Sequence, residues 1–263
     1  MFKDKTVLIT GASSGIGASL ARRFARAEAK VILVARRADR LAELADDLRV
    51  GGFAGQSAVI VADLTEPKAC ERIYADTLLA AGRVDVLVNN AGIGEYGDLA
   101  HKDLAALEHM MQLNMNSLLR LTHLILPEMI SRRSGWILNV ASTAAFQPTP
   151  HMAVYGATKS FVFSLSLALR EELRNKGIVV TCLCPGSTRT GFFDRGGYET
   201  RRREFTRLSA DPEDVADKAY RALARGRAFC VPGVFNKVTT FLQRLVPRTT
   251  TTRLVGKILG SGS

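Results

Sequence analysis

TVLITGASSGIGASL, residues 6–20, runs an apolar, β-prone stretch straight into a glycine-rich turn and then into a helical pattern. Gly11 permits the tight turn, Gly15 lets the backbone come close to an anion, and Gly17 allows the helix to sit close on the strand. Ser13, Ser14 and Ile16 complete the turn where the helix opens. The first N–H groups of that helix have no partner within it and carry a partial positive charge, which suits a pyrophosphate. A plain strand-to-helix turn is the alternative, and the position of the turn in the first β-α unit argues against it.

Outward from this stretch, apolar runs alternate with amphipathic segments. The runs are KVILVAR, SAVIVADL, VDVLVNNAG, GWILNVAST, IVVTCLCPG and RAFCVPG. Residues 15–28, 38–49, 67–81, 103–131, 155–175 and 211–225 have helical spacing. Several runs are apolar on both alternating faces, as parallel strands covered on both sides require. The expected architecture is α/β, a doubly wound parallel sheet of the Rossmann type in one domain, with ligand bound beyond the carboxyl ends of the strands. A chain of 263 residues suits one such domain.

The formal charge is +11, and its distribution matters more than its total. No acidic residue follows Asp217, whereas Lys218, Arg221, Arg225, Arg227, Lys237, Arg244, Arg248, Arg253 and Lys257 do. Nucleic-acid binding ranks last, because the basic tail lacks interleaved aromatic platforms. Cys70, Cys182, Cys184 and Cys230 lack zinc-site spacing and are too few for a disulfide framework, so no metal is expected. The charged start MFKDK and the lack of a long apolar run point to a cytoplasmic chain without a spanning helix.

Nucleotide choice should be written at the end of the second strand. Ala35 stands where an acidic residue would grip a ribose 2′-hydroxyl, and Arg36 and Arg37 follow. A guanidinium can bond a 2′-phosphate that a carboxylate would repel, so NADP(H) is the expected cofactor. Asp63 and Leu64 fall at the third strand's end, with Asp63 placed to meet the adenine amino group. Asn90, Ala91 and Gly92 follow the fourth strand along the same ligand.

Together, TGASSGIG, NNAG, Ser142, YGATK and PGSTRT make the chain resemble the short-chain dehydrogenase/reductase family over roughly residues 4–232. The resemblance implies a catalytic set of Asn114, Ser142, Tyr155 and Lys159. Ser142 lies thirteen residues before Tyr155, the family's register. Asn116 is also present, but the spacing to LLRLT matches the motif at Asn114. The resemblance further implies that Lys159 holds the nicotinamide ribose, that Pro185 and Gly186 turn near the nicotinamide, and that Thr188 and Thr190 offer groups to its carboxamide or the phosphates. It also implies a homodimer or homotetramer formed through the long helices 103–131 and 155–175.

The four-residue spacing of Tyr155 and Lys159 independently places both side chains on one helix face. An ammonium about 4 Å from a phenol attracts its ionised form by on the order of 4 kcal/mol at an effective dielectric of 20, so a lowered tyrosine pKa is expected. The expected activity is NADPH-dependent reduction of a hydrophobic ketone, aldehyde or 3-oxoacyl thioester, with Tyr155 as general acid. A nucleotide-binding sensor or scaffold without turnover is the alternative.

The catalytic unit is expected over 1–233, with a substrate lid at about 187–210. Phe192 and Phe193 would either line an apolar pocket or anchor the lid, and Arg201, Arg202 and Arg203 suggest a solvated helix face, or a site for a phosphopantetheine-bearing carrier or coenzyme A. His151 is expected to be loop structure. Residues 234–263 form a basic amphipathic extension: Val234, Val238, Phe241, Leu242 and Leu245 recur at helical spacing before Pro247, and Leu254, Val255, Ile258 and Leu259 follow. Docking on the lid or a partner subunit and peripheral membrane contact both fit that pattern.

Overall fold

The computed structural model describes residues 1–53, 57–194, 196–198 and 209–260. Seven strands, β1 (Thr6–Thr10), β2 (Lys30–Ala35), β3 (Ser57–Val61), β4 (Val86–Asn89), β5 (Gly135–Val140), β6 (Ile178–Leu183) and β7 (Phe229–Cys230), form one sheet in the order β3-β2-β1-β4-β5-β6-β7. Every pairing is parallel. The order reverses between β1 and β4, so the crevice at their carboxyl ends is the topological switch point where α/β sheets take ligands.

The connecting helices are α1 (Gly15–Ala25), α2 (Ala38–Leu48), α3 (Ala69–Ala81), α4 (Leu104–Met111), α5 (Ser117–Ser131), α6 (Ala153–Glu172) and α7 (Pro212–Ala224). Alternate residues of the central strands sort into two layers. Val7, Ile9, Val31 and Leu33 pack with Leu20 and Phe24 of α1 and with Val215 and Ala219 of α7. Leu8, Ile32 and Val34 pack with Ile73 of α3 and with Leu121 and Ile125 of α5. Both faces of the sheet are thus covered, which accounts for the unbroken apolar runs.

Two expected elements differ in detail. The first helix stops at Ala25 because Glu28 adopts φ +60 and turns the chain back toward β2. Residues 103–131 are not one helix: a π turn over Gln112–Asn116, in which the Ser117 N–H bonds the Gln112 carbonyl five residues back, separates α4 from α5. Two more helices, α8 (Val234–Leu242) and α9 (Arg248–Gly260), end the described chain on either side of Pro247.

A buried polar chain joins the middle of the sheet to the helices above it. Asn89 and Asn139 face each other in register on β4 and β5. Asn89 Nδ2 donates to Asn139 Oδ1 at 2.9 Å and to Thr122 Oγ1 at 3.1 Å, and Asn139 Nδ2 donates to Ser166 Oγ at 3.0 Å. The network therefore ties two strand ends to α5 and α6. Leucine at position 139 cannot accept from Asn89 or donate to Ser166, and unpartnered buried groups are costly. Asn139→Leu should lower the unfolding free energy by about 2–4 kcal/mol, seen as a lower urea midpoint at unchanged m-value; a loss under about 0.5 kcal/mol would show the network to be dispensable.

Candidate active site

The site is built at the switch point, and its first part is backbone. Gly11 and Gly15 adopt φ +65 and +54, the left-handed region that L side chains avoid, so both turn positions need glycine for conformation as well as space. A Cβ on Gly17 would meet the Gly11 carbonyl and lie 2.5 Å from Asn90 Nδ2, so the close packing at Gly17 is against the turn itself. Asn90 Nδ2 donates to the carbonyls of Thr10 (2.9 Å) and Gly11 (3.2 Å). Thr10 Oγ1 in turn accepts the N–H groups of Asn90 and Ala91, each at 3.0 Å. The Asn90 side chain thus shapes the turn.

Ser14 caps α1 with its backbone alone, its side chain making no bond to the first N–H groups there. Arg37 reaches across from β2: its Nη2 donates to Ser13 Oγ at 3.1 Å and Ser14 Oγ at 2.9 Å. Arg36 instead pairs with Asp63 at 3.4 Å. Burial works to raise the Asp63 carboxyl, but two bonds from Thr65 and the Arg36 guanidinium more than offset it and hold the group below the usual carboxylate range. Leu64, next to it, is buried. A helix end without a side-chain cap from Ser14, two left-handed glycines and two exposed guanidiniums are a donor set that fits the phosphates of a nicotinamide dinucleotide.

The second part comes from β5, α6 and the π turn. Ser142 follows β5 and caps a 3₁₀ turn, its Oγ accepting the Ala144 N–H at 3.1 Å. Tyr155 and Lys159 lie on α6 and are both buried. Burial pushes the Tyr155 phenol up to about 12, with a hydrogen bond from Ser142 pulling the other way. This is opposite to the lowering expected from Lys159. The ammonium sits 5.8 Å from the Tyr155 ring centroid and donates to the Val140 carbonyl at 3.0 Å, so desolvation governs the phenol.

Asn114, inside the π turn, is buried, whereas Asn116 is exposed and bonds only along its own helix, to Gln112. Asn114 holds the backbone just beyond β4 at two points: Oδ1 accepts the Ile93 N–H at 3.0 Å, and Nδ2 donates to the Ile93 carbonyl at 2.9 Å. Nδ2 also donates to Thr158 Oγ1, which donates to the Tyr155 carbonyl. A Cβ on Gly92 would stand 3.2 Å from both Asn114 Oδ1 and Lys159 Nζ, so these three residues share one corner.

The third part is the segment after β6. The Pro185 carbonyl accepts the Thr143 N–H, and Gly186 lies against Asn236 of α8. Thr188 is buried, with its hydroxyl turned to the Gly186 carbonyl. Thr190 stands over the phosphate turn: a Cβ on Gly15 would come 2.5 Å from its methyl. Phe192 packs 5.5 Å from the Tyr155 ring, and Phe193 and Tyr198 complete an aromatic cluster with Tyr96. The two phenylalanines therefore line the wall over Tyr155. Tyr96 and Tyr198 have no sequence signal, since each sits in a loop without periodicity. His151 pairs with Asp98 at 2.7 Å and holds a left-handed φ of +62, a loop role as expected. Arg201, Arg202 and Arg203, like most of the expected lid, lie outside the described residues.

These features define a dinucleotide-binding α/β protein with a tyrosine–lysine–serine cluster at the sheet's switch point. Residues 5–197 match the short chain dehydrogenase family model, and the chain belongs to that family. It is 38% identical over 221 residues to sulfoacetaldehyde reductase 2 of Chromohalobacter salexigens, covering 80% of this chain and 85% of that protein. Among solved structures, a short-chain dehydrogenase from Sphingobium yanoikuyae in complex with NADPH shares 34% identity at a TM-score of 0.80, over 92% of this chain and 94% of that one. A family member from Burkholderia phymatum in complex with NAD shares 27% identity at a TM-score of 0.85, over 92% and 93%.

Lys159 carries a stability consequence. Burial lowers it from its ordinary 10.5 to about 8, so the unfolded chain holds that proton more tightly than the folded one. The penalty is fully present below about pH 8 and is relieved as pH rises toward 10.5, so stability climbs through that window. Lys159→Met should raise the unfolding free energy at pH 7 by about 2 kcal/mol after the lost bond to Val140 is discounted, with the gain vanishing near pH 10.5. Urea midpoints at the two pH values check this; an equal change at both would assign the effect to packing.

Proposed function

We propose that this chain is an NADP(H)-dependent reductase that converts a hydrophobic ketone, aldehyde or 3-oxoacyl thioester to an alcohol. The carrying observation is a buried tyrosine kept protonated beside a serine hydroxyl, under an aromatic wall. A developing alkoxide is more basic than a phenolate, so a proton passes downhill from Tyr155 to substrate oxygen, and a phenol pushed up to about 12 is a stocked acid. The nicotinamide cofactor supplies the hydride when bound.

Ser142 and Tyr155 orient the carbonyl oxygen by hydrogen bonds. Lys159 holds the ribose hydroxyls and returns a proton toward Tyr155, and Asn114 positions that corner through the Ile93 backbone. Phe192 and Phe193 exclude water and select apolar substrates. The reduction direction is supported by the sulfoacetaldehyde reductase relative.

Selection of the 2′-phosphate rests on Arg37 and Arg36, with Ser13 and Ser14 beside Arg37 and no carboxylate at Ala35. The NADPH complex of the Sphingobium relative supports this choice. In our reading, residues 1–233 are the catalytic unit, 187–210 its cover and 234–263 an extension. Self-association uses the segments 103–131 and 155–175, that is α4, α5 and α6, and Leu104, Met111 and Leu119 are exposed on the first of these segments.

Tyr155→Phe keeps the ring and removes the acid. Its turnover should fall by about 10²–10⁴-fold with NADPH affinity nearly unchanged, as measured by NADPH oxidation across aldehydes, ketones and 3-oxoacyl thioesters of varied length. Retained turnover would refute the role, and a wild type inert toward the whole set would favour the sensor alternative. Separately, Arg37→Glu should weaken NADPH binding by about 10- to 100-fold while leaving NADH within a few fold, by fluorescence titration. An unchanged NADPH:NADH ratio would remove the basis for NADP(H).

A further inference from the structure

Helix α8 is oriented inside out. Its polar side faces the body: Thr240 is buried, and Asn236 sits against Gly186 and donates to the Pro232 carbonyl at 2.8 Å. Its apolar side faces outward, with Val234 and Phe235 77% and 76% exposed and Val238, Phe241, Leu242 and Leu245 also open to solvent. At 100° per residue, the five of these side chains within α8 fall within an arc of about 120°. Lys237, exposed, flanks one edge of that arc, and Arg244, also exposed, follows in the turn after the helix. On α9, Arg253, Leu254 and Lys257 are exposed, while Thr251 is buried.

A contiguous apolar stripe of this kind marks an interaction surface, and its charge selects the occupant. No acidic residue follows Asp217, so nothing in this tail neutralises Lys237, Arg244, Arg248, Arg253 and Lys257. A second copy packed on the same patch around a two-fold axis would bring these cations against themselves. An anionic bilayer offers an apolar interior for the stripe and headgroup charge for the flanking cations. No helix among the described residues is long and apolar enough to cross a membrane, so contact is with the surface layer.

We infer that the outward face of α8 is a docking surface for an anionic lipid bilayer. The inference is independent of the carbonyl chemistry proposed above. The same tail borders the site: the Tyr96 hydroxyl donates to the Leu259 carbonyl at 2.5 Å, and Gly256 lies against Pro150.

The test is co-sedimentation of the full chain with vesicles of phosphatidylcholine alone and of phosphatidylcholine with phosphatidylserine. The wild type should bind the anionic vesicles, bind the neutral ones more weakly, and release as salt rises. Lys237→Ala with Arg244→Ala should weaken binding about 25-fold, roughly fivefold per cation. Phe235→Ser with Phe241→Ser should abolish it without changing the melting temperature, because both rings are exposed. If that pair unfolds the chain, the cation pair decides the matter. A wild type that ignores anionic vesicles overturns the inference, as does sedimentation equilibrium in which the phenylalanine pair dissociates an oligomer while no vesicle binding occurs, which would assign the face to a second copy.

Discussion

The grip of β1 and β4 on each other at their carboxyl ends is the interaction on which the site depends. Thr10 Oγ1 collects the Asn90 and Ala91 N–H groups, and Asn90 Nδ2 returns to the Thr10 and Gly11 carbonyls. These bonds hold the glycine turn in a left-handed path that only glycine takes without strain. They also fix where the chain leaves β4. From there, Asn114 clamps Ile93 and shares a corner with Gly92 and Lys159. One interlock at the switch point thereby sets the glycine turn and the Asn114–Lys159 corner relative to each other.

Burial then does the electrostatic work, and it acts on the two α6 groups in opposite directions. A dry environment disfavours charge of either sign, so it raises the Tyr155 phenol and lowers the Lys159 ammonium. The pair is thereby poised with the proton on oxygen and with a lysine that titrates near the physiological range. An exposed pair at the same four-residue spacing would have neither property. The cost is carried by the surrounding fold, whose polar network of Asn89, Asn139 and Ser166 runs beneath the same helix.

Much of this was legible in the sequence, because the legible parts are backbone rules. Glycines at 11, 15 and 17, the thirteen-residue step from Ser142 to Tyr155 and the two-faced apolar runs each state a local geometry. What could not be read depends on long-range contact. The π turn at Gln112–Asn116 has no periodic signature, and its effect, burying Asn114 while exposing Asn116, appears only in three dimensions. The direction of the Tyr155 shift depends on how deeply α6 is buried and on the Lys159 bond to Val140, neither of which spacing reports. For α8, periodicity revealed an apolar stripe but not which way it faces, since a helix is equally amphipathic in either orientation.

The segment after β6 shows how few residues join the two halves of the site. Thr190 touches the glycine turn at Gly15, and two residues later Phe192 lies on the Tyr155 ring and against Gly94. Gly191 lies between them, at the start of a short 3₁₀ turn. A side chain that covers the glycine turn and one that covers the Tyr155 ring are thus carried on the same stretch of backbone. Phe192, Phe193 and Tyr198 pack into one apolar cluster with Tyr155, so under the proposed reading the wall that dries the phenol is also the surface a substrate would meet, and the same apolar contacts that raise the phenol would favour an apolar ligand.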